Sequence, residues 1–86
     1  MTISKETVKG KLAAYLRHEI SVAEVVSWAE DALMEGDFIE SDAGPIADVL
    51  AQLGVADVRA FGLMWEDCER LLAQLGYTAR VDIVAA

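Results

Sequence analysis

The stretch Ser21-Val22-Ala23-Glu24-Val25-Val26-Ser27-Trp28-Ala29-Glu30-Asp31-Ala32-Leu33-Met34-Glu35-Gly36 decides how this chain is read. Ser21 and Glu24 stand three apart. At that spacing a serine hydroxyl accepts from an unpaired first-turn amide while the glutamate reaches back to the cap amide. Ile20 and Val25 bracket the cap as a hydrophobic staple. Val22, Val25, Val26, Ala29, Ala32 and Leu33 then recur at helical intervals on one face, and Glu24, Ser27, Glu30, Asp31 and Glu35 take the other. Gly36 supplies a left-handed stop. An amphipathic helix of this kind is stable only when its apolar stripe is covered. The rest of the chain is therefore read for elements that can cover it.

On the N-terminal side, Ser4 caps a helix over about 5–17, with Ile3 and Val8 as its staple. Val8, Leu12, Tyr15 and Leu16 form its stripe. Gly10 inside it costs about 1 kcal/mol relative to alanine. On the other side, residues 37–44 read as a connector anchored by Phe38 and Ile39. A third helix begins between Asp42 and Pro45, because proline is tolerated where first-turn amides are unpaired anyway. It buries Ile46, Val49, Leu50 and Leu53 and ends at Gly54. A fourth helix runs over about 65–75, with Met64, Trp65, Cys68, Leu71, Leu72 and Leu75 on one face. Glu66 and Asp67 suit its positive end, Glu66 pairs with Arg70, and no side-chain acceptor caps it.

Two further patterns complete the fold expectation. Leu50-Ala51-Gln52-Leu53-Gly54 recurs as Leu72-Ala73-Gln74-Leu75-Gly76. Each copy reads as a last helical turn, a glycine stop, and an apolar residue (Val55 or Tyr77) folding back. Two copies are too few for a solenoid. In the tail, Tyr77, Ala79, Val81 and Ile83 alternate with Thr78, Arg80 and Asp82, the period of a half-buried strand. Its backbone needs a partner. A short strand within 56–62 is the expected one, and an exposed edge of a second copy is the alternative. The expectation is a mainly helical α+β fold: one small domain over 1–86, four helices, and a C-terminal strand over about 77–84.

The 86 residues hold 15 Asp and Glu against 7 Lys and Arg, a net charge of −8. Nucleic-acid and anionic-membrane binders need a basic footprint, so neither is expected as a partner. Nor does any apolar run approach the ~18 residues of a membrane span. With no apolar leader and a single cysteine, the chain reads as cytoplasmic. The charge falls in blocks. Residues 1–17 carry +3, residues 18–57 carry −10 with no Lys or Arg, and residues 58–86 carry −1.

Little here supports chemistry. His18, the only histidine, reads as a helix-terminus residue, since Glu19 beside it faces another direction. Cys68 falls on the buried stripe, where a thiol is inert. Asp31, Glu35, Gly36, Asp37 and Asp42 match positions 1, 5, 6, 7 and 12 of a calcium loop. Leu33 and Ile39 would then fill ligand positions 3 and 9, which excludes an EF-hand. No phosphate loop, dinucleotide fingerprint or zinc-ligand spacing is present. No catalytic residue, cofactor or metal is expected. The candidate site is instead a partner-binding face: Glu30, Asp31, Glu35, Asp37, Glu40 and Asp42, flanked by Trp28 and Met34. Acids steer a basic protein toward the surface and the large apolar side chains anchor it; the alternative is that the acids serve solubility and Trp28 packs against the first helix. Immunity proteins, antitoxins and adaptor subunits share this size and charge, an analogy of physics alone. Three other readings stand beside it, one of them a small enzyme, which would need a pocket holding a perturbed titratable group. A DNA mimic would need acids spaced along an extended surface. An obligate homodimer would complete its core with a second copy.

Overall fold

The computed structural model describes residues 2–38, 43–56 and 63–85. Strand β1 (Thr2–Ile3) leads into helix α1 (Lys5–Leu16). Helix α2 (Val22–Glu35), strand β2 (Asp37–Phe38), helix α3 (Ala43–Leu53) and helix α4 (Trp65–Gln74) follow. The four helices agree with the sequence reading; the sheet does not. The two strands are β1 and β2, paired in parallel with Thr2 opposite Asp37 and Ile3 opposite Phe38. Residues 77–85 form neither helix nor strand. The expected partner over 56–62 lies outside the described residues, apart from Ala56, which sits in a short helical turn.

The caps form as their residue types dictate. Ser21 Oγ accepts from the Glu24 amide at 3.2 Å, and Glu24 Oε1 accepts from the Ser21 amide at 3.4 Å. Ser4 repeats this with a threonine in place of the acid: its Oγ accepts from the Thr7 amide, and Thr7 Oγ1 accepts from the Ser4 amide. Both staples close, with Ile3, Val8 and Val25 buried and Ile20 half-buried. At the start of α4 no side chain of Met64 caps the helix, and Asp67 Oδ2 accepts from the Met64 amide at 3.0 Å instead. Arg70 does not turn to Glu66. It reaches Asp67 at 3.5 Å and donates to Gln52 Oε1 at 2.6 Å.

The helix ends differ from the sequence expectation in an instructive way. Among the described residues the left-handed stops are His18 (φ 63) and Gly76 (φ 91). Each closes a Schellman pair. The Glu19 amide donates to Ala14 and the His18 amide to Tyr15; the Tyr77 amide donates to Leu72 and the Gly76 amide to Ala73. Gly36, expected to be left-handed, is extended at φ −80. Glycine stands there for space. A Cβ would lie 2.5 Å from the Ala32 carbonyl oxygen and 2.7 Å from Ile3 Cγ1, so the residue lets β1 pass against the end of α2. Gly54 is not a left-handed stop either, and Val55 beyond it is 52 % exposed rather than folded back. The sequence echo therefore does not repeat as structure, although Gln52 Nε2 donates to Gln74 Oε1, its counterpart, at 3.1 Å.

Ile3, Val8, Leu12, Val25, Ala29, Ile46, Val49, Leu50, Leu53, Cys68 and Leu71 form one fully enclosed apolar cluster. Each came from a stripe or staple read in the sequence. Leu33 and Met64, placed on apolar faces by spacing, are exposed instead, at 40 % and 46 %. They stand at the margins of their stripes, where no neighbouring helix reaches them. Gly10 offers a simple check on α1. A Cβ there meets nothing within 4 Å. Gly10→Ala is therefore expected to stabilise the protein by about 0.5–1 kcal/mol, read as a rise in thermal midpoint.

Candidate functional interface on the second helix

Helix α2 advances about 100° per residue, so Glu30 and Asp31 stand on either side of Met34, one turn before it. Val25, Ala29 and Ala32 point the opposite way, into the core. Met34 is 83 % exposed, more than any other large apolar side chain on the described helices. Glu30, Asp31, Glu35 and Asp37 are exposed around it. Among the described residues none of these four carboxylates has an ion-pair partner. The stem of Glu30 runs toward the end of α3, its Cγ 3.8 Å from where a Cβ on Gly54 would lie. Leu33 continues the apolar surface on that side. Asp31 and Glu35 belong to the helix itself rather than to a loop, which is not the geometry of a calcium-binding turn.

Trp28 takes the second of its two readings, packed against the first helix. It is half-buried on the flank of α2 that meets α1, packed against the core, with the Lys11 ammonium 5.5 Å from its ring centroid. Met34 stands about 120° away around the helix. On α2, Glu30, Asp31, Met34 and Glu35 stand exposed with Trp28 at the border of the face, and Asp37 follows, exposed, in β2. Glu40 and Asp42 lie outside the described residues.

A second feature, not read from the sequence, is a cleft of about 550 Å³ where the end of α1, the cap of α2 and the start of α4 meet. Tyr15, Leu16, Ile20, Leu63 and Trp65 give it apolar walls, and His18, Glu19 and Glu24 stand at its margin. The Tyr15 hydroxyl donates to the Leu63 carbonyl, fixing one wall. Burial raises the Tyr15 pKa, with smaller contributions from Cys68 and Asp67. The Ser21 hydroxyl and the Glu24 carboxylate at this cleft are engaged in the α2 cap. No sequence spacing could have revealed the cleft, because its walls come from segments 48 residues apart.

Cys68 is fully enclosed, and burial, reinforced by Asp67, pushes its thiol up to about 11. It is expected to resist thiol reagents near neutral pH until the protein unfolds. Its pKa is higher in the folded state than the 9.0 of a free thiol. The stability it contributes is thus fully present below pH 9 and is lost as pH rises through 11. Denaturant titrations across that window check this.

Among the described residues no helix is long and apolar enough to cross a membrane. Comparison of the chain with models of protein families, with characterised proteins and with solved structures gives no match.

Proposed function

We propose that this chain is a non-enzymatic interaction protein whose α2 surface receives a basic protein partner. The observation that carries the reading is Met34, exposed at the centre of carboxylates that have no ion-pair partner among the described residues. Surrounded by acids, the same side chain is suited to dock into an apolar recess bordered by Lys and Arg. The acids raise the encounter rate with a cationic surface, and the apolar centre limits dissociation. Methionine also adapts its shape to the surface it meets. The charge is clustered at one end of one helix rather than drawn out along an extended line, which favours a protein partner over mimicry of a DNA backbone.

The test is capture from native cell extract at low salt. The wild-type chain and a variant carrying Glu30→Lys, Asp31→Lys, Glu35→Lys and Asp37→Lys serve as matched baits. A basic protein held by the first and lost by the second supports the reading. Equal recovery by both baits, or recovery of no basic protein, removes it.

A further inference from the structure

The C-terminal arm and the Trp65 cleft are each incomplete, and each has what the other lacks. Beyond Tyr77, whose amide closes the end of α4, the chain runs on without helix or strand. Tyr77 and Ala79 still pack against the core. Val81, Ile83 and Val84 do not: they are 66 %, 97 % and 80 % exposed. Together they put three exposed apolar side chains within four residues of the arm. The cleft provides a complementary hollow, with apolar walls from Leu16, Ile20, Leu63 and Trp65 and a polar margin of His18, Glu19, Ser21 and Glu24.

We propose that the arm inserts Ile83 and Val84 into the Trp65 cleft of a second copy, forming a two-fold, arm-exchanged dimer. Three observations select this occupant. First, the arm already runs along the cleft's outer margin. Arg80, Val81 and Asp82 share with Leu16 and Trp65 the lining of an adjoining hollow of about 570 Å³, yet Ile83 remains outside its own cleft. Arms leaving each copy beside its own cleft can cross to the partner's, giving the same contact twice and a closed dimer. Second, the charges are complementary. Arg80 on the arm suits Glu19 and Glu24 at the cleft margin. Third, the area suffices. Two arms of three apolar side chains, with the walls they cover, bury on the order of 1,000 Å², at the small end of specific interfaces.

Sedimentation of the full chain from about 10 μM to about 1 mM tests the proposal. A monomer–dimer equilibrium is expected. The variant carrying Glu30→Lys, Asp31→Lys, Glu35→Lys and Asp37→Lys is expected to retain it, so this surface and the acidic face of α2 are told apart. The double variant Ile83→Glu, Val84→Glu alters only exposed side chains and is expected to weaken dimerisation at least about 100-fold with an unchanged circular dichroism spectrum. In a sample mixing isotope-labelled and unlabelled chains, Ile83 methyls are expected to show intermolecular contacts to the Trp65 indole. A monomer throughout the range, a dimer that survives the double variant, or Ile83 contacts only to Trp65 of its own chain would each overturn the proposal.

Discussion

Leu50→Ala is expected to lower the stability of this protein by about 2–5 kcal/mol. Leu50 has no solvent exposure and lies on the face of α3 that shares the core with Val25, Ala29 and Leu71. The loss combines the transfer free energy of the deleted carbons with the cavity left among packed neighbours. A chain of 86 residues has roughly 4–13 kcal/mol of total stability at about 0.05–0.15 kcal/mol per residue. One core leucine is therefore a large fraction of the whole. Urea unfolding would show a lower midpoint with an unchanged slope. Met34→Ala, on the same scale, is expected to fall within about 0.5 kcal/mol of wild type, because its side chain is already in water. A loss below about 1 kcal/mol for Leu50→Ala would contradict the packing of α3 described here.

The second large effect concerns the partner. Changing Glu30, Asp31, Glu35 and Asp37 to lysine takes the net charge from −8 to 0 and reverses the sign of the α2 face. Affinity for a basic partner is expected to fall at least about 100-fold, mostly through the association rate, with a weaker salt dependence than wild type. Folding is expected to persist. All four side chains are exposed, and a lysine at 35 in the last turn of α2 opposes the negative helix end better than the glutamate does. Circular dichroism and the unfolding midpoint separate lost binding from lost structure. A folded variant that binds as tightly as wild type would contradict the assignment of this face.

The elements legible in the sequence were those fixed by neighbours close in the chain. Ser4 with Thr7 and Ser21 with Glu24 act across three residues. The stripe Ile46, Val49, Leu50 and Leu53 needs only helical spacing to declare its buried side. The features missed depend on what packs alongside. The alternation of Tyr77, Ala79, Val81 and Ile83 is a strand pattern, but a strand needs a partner backbone, and the two-stranded sheet instead joins residues 2–3 to 37–38. Two-residue strands have no period to detect. Gly36 was readable as a helix end but not as a contact, since the crowding comes from Ile3, thirty-three positions earlier. His18 adopts the left-handed stop that sequence rules reserve mainly for glycine, and histidine is among the few other residues found there.

The candidate face was legible in part for the same reason. Glu30, Asp31, Met34 and Glu35 lie on one helix, so their proximity follows from the chain. The separation of Trp28 does not, because it depends on α1 covering that flank with Lys11 above the ring. The exposed Leu33 likewise reflects how much of α2 its neighbours cover, which no single-helix pattern encodes.

The most direct measurement of the central claim is a footprint of the captured basic partner by amide chemical-shift perturbation on the labelled full-length chain. The largest changes are expected at Glu30, Asp31, Met34, Glu35 and Asp37, with line broadening at the Met34 methyl. Changes centred on Tyr15, Leu63 and Trp65, with this part of α2 undisturbed, would contradict it.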